Sequence, residues 1–143
     1  MIQPAKIANV MGGKKVLHGS IRSLFDLERA VEKGLPKGAL KNLASFVSPP
    51  REQFKFIYQV VPEGTYKRRH THLSPEESER TERIARVIAT AIDVWEDREK
   101  AKIFLISPHP FFNNRPPLKV AFTELGARQV EELLWGMFYG LPL

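Results

Sequence analysis

Cysteine is absent from all 143 residues. Its absence excludes disulfides, thiolate nucleophiles and cysteine-ligated zinc. Long apolar runs are missing too: none approaches the roughly 20 residues needed to cross a bilayer. The opening Met1-Ile2-Gln3-Pro4-Ala5-Lys6 has no charged segment followed by an apolar one, so no secretory signal is expected. The simplest expectation is a cytoplasmic protein with no membrane partner. Of the four histidines, only His70 and His72 lie close together. No acid falls within two residues of that pair, and no metal is expected.

Catalytic signatures are also missing. No serine sits in a Gly-x-Ser-x-Gly setting, and there is neither a phosphate-cradling glycine loop nor a dinucleotide fingerprint. Acids are plentiful at Glu76, Glu77, Glu79, Glu82, Glu131 and Glu132. They fall on helical positions opposite apolar stripes, and Glu79–Arg83 and Glu82–Arg86 are spaced i,i+4. That pattern predicts a solvated helix face rather than an acid–base pair. The expectation is a binding protein, not an enzyme, with no cofactor.

What is present is an uneven charge. The net +6 divides into +8 over residues 1–72 and −2 over 73–143. A one-sided excess points to a polyanion for the first half and a different partner for the second. Hydrophobic residues make up 43%, enough for a packed core.

Residues 1–19, with Pro4, Gly12, Gly13 and Gly19, read as a flexible arm in which 15–18 is a candidate short strand. Beyond them the periodicity is helical throughout, so the expected fold class is all-α. A helix is expected after Ser20, with Ile21, Leu24, Phe25, Leu27, Ala30 and Val31 recurring and Gly34 as its stop. A second begins at Pro36 and buries Ala39, Leu40, Leu43, Ala44 and Val47. A third spans about 50–60, with Phe54, Ile57, Tyr58 and Val61 on one side. Val61-Pro62 then turns into a short helix over 63–70, the layout of a helix-turn-helix.

Ser74-Pro75-Glu76-Glu77 is a capping box with proline at the first helical position. It opens a long helix with the stripe Ile84, Val87, Ile88, Ala91, Ile92 and Trp95. Asp97 caps a further helix to about Ile106. The last helix follows Thr123 or Gly126, with Val130, Leu133, Leu134, Met137 and Phe138 inward. Two units are expected: a helix-turn-helix over 20–72 and a second helical domain over 73–143.

Two sets of residues stand out as binding candidates. Thr65, Tyr66, Lys67, Arg68 and Arg69 sit on the second helix of the turn, where basic and hydroxyl side chains suit phosphates and base edges. Trp135 and Tyr139 share a second face of the last helix, off its apolar stripe, as partner anchors do. Gly140, Leu141, Pro142 and Leu143 then end the chain as an apolar tail suited to a cleft on another protein.

Several of these segments resemble one family. Leu73-Ser74-Pro75-Glu76-Glu77-Ser78-Glu79-Arg80 with Arg83-Ile84-Ala85-Arg86 resembles the opening of the Xre/MbcA/ParS-type toxin-binding domain. Ala101 with Phe104-Leu105, Arg115-Pro116-Pro117-Leu118, Thr123-Glu124-Leu125-Gly126-Ala127 and Tyr139-Gly140 continue the likeness in order. Phe104 stands where the family usually has tryptophan, and Asn113-Asn114 replace a small or glycine-rich turn. Upstream, Gly34-Leu35-Pro36 and Thr65 to Arg69 resemble that family's degenerate Xre-like helix-turn-helix. The resemblance implies a type II antitoxin whose partner is a RES-domain toxin that depletes NAD. It further implies that the C-terminal region covers the toxin's active-site cleft, and that the first half binds operator DNA for autoregulation. A homodimer within a larger toxin–antitoxin complex is expected, because one short helix reads too few bases alone. The alternative is a plain transcriptional regulator whose second half only oligomerises.

Overall fold

The computed structural model describes residues 1–142. Among them the regular structure is helical, with two isolated bridges and no strand. The helices are α1 (Pro4–Val10), α2 (Gly13–Leu17), α3 (Leu24–Lys33), α4 (Lys37–Val47), α5 (Gln53–Val60), α6 (Glu63–Arg68), α7 (Pro75–Trp95), α8 (Arg98–Ile106), α9 (Pro117–Val120) and α10 (Glu124–Phe138).

The capping box at Ser74 is formed in both directions. It starts a 21-residue helix about 31 Å long. Glu77, Ser78, Thr81, Ile84, Ala85, Val87, Ile88, Ala89, Thr90 and Ala91 are all buried. Burial on so many sides marks α7 as the central strut, against which α1, α3, α4, α5, α8 and α10 all pack. One apolar core runs from Ile2 to Leu134 without interruption at residue 72. The two expected units therefore share a helix and a core.

The first 19 residues are not a flexible arm. Pro4 opens α1, and Ile2, Ile7, Ala8 and Met11 are buried. Lys6 is ion-paired with Asp93 of α7. Gly12 and Gly13, with φ of 111° and 66°, reverse the chain tightly between α1 and α2. A Cβ on Gly12 would sit 2.3 Å from a Val16 methyl. The glycines mark a forced turn, and the apolar i,i+4 pair Ile7 and Met11 supplies the packing. The candidate strand at 15–18 is the end of α2 and its left-handed cap, His18.

Other boundaries move for local reasons. Helix α3 begins at Leu24, because the Ser23 hydroxyl accepts the Asp26 amide at 3.1 Å. Leu27 and Val31 are buried, whereas Leu24 and Phe25 are exposed. A 3-10 turn at Pro50–Glu52 precedes α5, which begins at Gln53. Phe56, Ile57, Val60 and Val61 are buried, and Phe54 lies outside on Tyr58. In α10, Val130, Leu133 and Leu134 point inward as expected, but Phe138 is 50% exposed.

Two glycines are compelled by close approach. Gly34 has φ 94°, and a Cβ there would lie 2.3 Å from the Leu73 carbonyl oxygen. This contact lets residues 35–37 pair with 71–73: Leu73 N–H donates to Leu35 O at 2.8 Å, and Lys37 N–H to Thr71 O at 3.0 Å. Gly126 sits on the Val120 carbonyl, which a Cβ would meet at 1.8 Å, so α9 and α10 pack with no room for a side chain.

Candidate functional site

The α5–α6 turn forms at Val61-Pro62 as expected. Its five candidate residues separate sharply. Tyr66 is 3% exposed, lies edge-on to Tyr58 and holds the Lys37 ammonium over its ring at 4.1 Å. Burial, then the neighbouring Tyr58, pushes its hydroxyl pKa up. The expectation that Tyr66 contacts phosphate is corrected: its aromatic bulk and its place on the inner face of a two-turn helix commit it to the core. Lys67 and Arg68 are exposed. Among the described residues, the ion-pair partner of Lys67 is Glu63 at i,i+4, 3.5 Å away. Arg68 donates to the Thr65 hydroxyl at 3.2 Å, and Thr65 is half-buried.

Arg69 is used inside the chain. It grips the Glu77 carboxylate with two parallel bonds, Nε to Oε1 at 3.0 Å and Nη2 to Oε2 at 2.9 Å. Glu77 Oε1 also accepts the Ser74 amide at 2.8 Å. The Arg69 hydrogen bonds, with help from Ser74, hold the Glu77 pKa below the usual carboxylate range. Three further contacts radiate from the same end of α7. The buried Ser78 hydroxyl accepts the Leu35 N–H at 2.7 Å, Arg80 donates to the terminal carbonyl of α5, Val60 O, at 3.0 Å, and Leu73 pairs with Leu35. The residues of the Leu73–Arg80 segment thus fasten the helix-turn-helix to the central helix.

Midway along α7 the charges turn the other way. Arg83 donates to Glu124 and to Phe122 O, each at 3.2 Å. Arg86 faces three carboxylates: Glu82 at 3.1 Å, Glu131 at 2.5 Å and Glu124 at 4.0 Å. Glu82 is therefore not on a solvated face. Burial, with Glu131 and Glu124 nearby, raises its pKa even though Arg86 opposes the shift. The i,i+4 spacing of Glu82 and Arg86 was visible in the sequence, but the arrival of Glu124 and Glu131 from α10 was not.

At the far end, Trp135 is half-buried against the core. It lies edge-on to Phe138 at 5.5 Å and tilted to Tyr139 at 6.3 Å, with Phe138 edge-on to Tyr139 at 5.0 Å. Tyr139 is 66% exposed and Leu141 58%. The tail does not simply fray. Gly140 adopts φ 66°, its N–H donates to Met137 O at 3.2 Å, and the Leu141 N–H donates to Gly136 O at 2.9 Å. This is a Schellman termination, which fixes the direction in which the chain leaves the helix. Pro142 is exposed, and Leu143 lies outside the described residues.

Two family models match the sequence that builds these sites. The antitoxin Xre-like helix-turn-helix domain matches residues 26–86, and the antitoxin Xre/MbcA/ParS C-terminal toxin-binding domain matches 90–140. Between them the two matches span most of the chain, and both of its halves are similar to the domains of Xre-type antitoxins. The helix-turn-helix match includes the clasp at the start of α7, consistent with side chains there that face the first half. Among curated relatives, Antitoxin Xre of Yersinia enterocolitica is 34% identical over 85 residues, which is 57% of each chain. Antitoxin Xre of Pseudomonas putida is 35% identical over 88 residues, 59% of this chain and 55% of that one. These matches span little more than half the length of either relative. No described helix is long and apolar enough to cross a membrane.

Proposed function

We propose that this chain acts in the cytoplasm as the antitoxin of a type II pair and neutralises a RES-domain, NAD-depleting toxin. The carrying observation is the end of α10: an aromatic cluster of Trp135, Phe138 and Tyr139, followed by a tail that Gly140 aims outward. Tyr139 and Trp135 anchor the toxin, as aromatic residues do at protein interfaces. Gly140, Leu141, Pro142 and Leu143 obstruct its active-site cleft. The Schellman bonds favour this role, because a pre-directed tail loses less entropy on docking.

In the first half, Lys67 and Arg68, with Thr65 beside them, face operator DNA for autoregulation, and a homodimer presents two such helices. Arg69 and Tyr66 serve this surface indirectly by holding α6 in place.

Co-expression with the protein encoded by the neighbouring gene, following growth and cellular NAD, tests the proposal. The expected result is NAD collapse with the neighbour alone, rescue by this chain, and loss of rescue when 140–143 are deleted. A harmless neighbour, or no rescue, overturns the antitoxin reading and favours a plain regulator. For DNA, Lys67→Ala with Arg68→Ala should weaken operator binding and flatten its salt dependence. Unchanged binding removes α6 from the DNA interface.

A further inference from the structure

The positive charge of the first half is concentrated in two stretches. Residues 1–25 and 33–51 contain no acid, so every charged side chain there is a cation. The fold gathers part of this charge around α4. The start of α4 abuts α6: the Lys37 ammonium donates to Arg69 O at 3.1 Å and lies over the Tyr66 ring. A different side of α4 carries α2. There a Cβ on Gly38 would lie 3.3 Å from a Val16 methyl, and Asn42 donates to Met11 O at 3.2 Å, just before the glycine reversal into α2. With about 100° of rotation per residue, Lys41 falls about 40° from Lys37 and about 60° from Gly38. It thus stands between those two sides, away from the buried Ala39, Leu40 and Leu43. Lys14, Lys15 and Lys41 are exposed, and none has an ion-pair partner among the described residues. Of the helices packed against α2 and α4, α1 and α5 carry no acid. On α7, Asp93 is paired with Lys6, and Glu77 with Arg69, which Glu76 also faces. On α8, Glu99 shares a groove with Gly12 and Asn42, and Arg98 and Lys102 line the same groove.

We infer that Lys14, Lys15 and Lys41 form a phosphate-binding tract that carries the DNA interface from α6 across the outer side of α4 to α2. The argument is charge complementarity with a partner that is a continuous polyanion. A lysine ammonium is a compact point charge that suits a phosphate, whereas bidentate reading of a base edge needs a fork such as that of Arg68 on α6. A duplex held by α6 presents its phosphates to the elements beside that helix, and α4 and α2 offer cations there without carboxylates of their own. Order in residues 1–19 gives the tract its geometry: Gly12, Gly13 and Asn42 fix α2 on α4, where a loose arm would leave its lysines unplaced. Helix α2 lies outside residues 26–86, the segment similar to the helix-turn-helix domain. The tract therefore extends the interface beyond that domain, with contacts that fix register on the duplex and carry no sequence information. The inference rests on the DNA-binding reading for the identity of the partner.

The test titrates the full chain, over a series of salt concentrations, with a labelled duplex spanning the region upstream of its own gene and with a scrambled duplex of the same length. The combined variant Lys14→Ala, Lys15→Ala, Lys41→Ala should weaken both duplexes alike, by about tenfold or more, and lower the slope of log affinity against log salt by about two to three. The matching Lys→Arg variant keeps the charge and should keep the slope. Lys67→Ala with Arg68→Ala should instead weaken the upstream duplex more than the scrambled one, because α6 reads base edges. An unchanged slope in the alanine variant overturns the inference. So does a loss confined to the upstream duplex, or a loss that the arginine variant shares. Weaker affinity for the neighbour-encoded toxin with DNA binding intact also overturns it, and assigns the tract to the toxin. Failure of the unsubstituted chain to bind either duplex is a separate result, and it sinks the DNA-binding reading itself.

Discussion

Glu77 and Glu82 stand five residues apart on one helix, and each is bonded to an arginine, yet they behave oppositely. At the start of α7, Glu77 has the whole of Arg69 and the Ser74 amide to itself, and its pKa falls. Midway along, Glu82 shares Arg86 with Glu131 and Glu124 in a buried setting, and its pKa rises. Both side chains are largely covered, 7% and 16% exposed, but burial is the main cause of the Glu82 rise, while at Glu77 the Arg69 hydrogen bonds outweigh it. The supply of donors adds to this, because Glu77 receives three hydrogen bonds and Glu82 shares Arg86 with Glu131 and Glu124. The first set of ion pairs joins α6 to α7, and the second joins α7 to α10. The first region is a clasp with one donor set per carboxylate; the second is a shared network in a more buried setting.

The largest expected effect comes from breaking the clasp. Glu77→Ala removes the reciprocal cap and leaves the Ser74 N–H and Arg69 without their acceptor. It should cost about 2–3 kcal/mol in urea unfolding. A loss under about 0.5 kcal/mol, the scale of an ordinary surface change, would show that the clasp holds nothing.

Ser78→Ala strands the Leu35 amide in the core and should cost about 1–2 kcal/mol. Thermal unfolding of this variant sharpens the comparison, because it loosens the same junction without touching a charge.

The pH dependence separates the two acids directly. Glu77 has a lowered folded pKa, so its contribution is present above the ordinary carboxylate pKa. It is lost as pH falls through the lowered value. Glu82 has a raised folded pKa, so the native chain keeps that proton after the unfolded chain has released it. Stability therefore declines as pH rises from the ordinary carboxylate pKa through the raised one. In urea titrations across this range, Glu77→Gln should flatten the acid limb and Glu82→Gln should remove the decline. The same slope change in both variants would erase the distinction.

At neutral pH, Glu82→Gln should cost under about 1 kcal/mol, because it exchanges a disfavoured buried charge for a neutral hydrogen-bonding group. The smallest effect is expected at the exposed end of α10. Tyr139→Ala should change stability by no more than about 0.5 kcal/mol while weakening toxin affinity markedly. A large stability loss would instead make Tyr139 part of the fold.

The sequence alone determined the helical class, the α5–α6 turn, the capped start of α7 and the inward stripe of Val130, Leu133 and Leu134. These follow from local rules: periodicity, caps and turn residues act within a few positions of one another. Tertiary structure alone decided which cations stay exposed. Lys67, Arg68 and Arg69 are consecutive in sequence, and only the approach of Glu77 across the α6–α7 connection turns Arg69 into a clasp. It likewise ordered residues 1–19, because the partner surface for Ile7 and Met11 is a helix more than 60 positions later. It gathered Glu82, Glu124 and Glu131 around one arginine, since helices that lie far apart in the chain pack side by side and their charges meet only then.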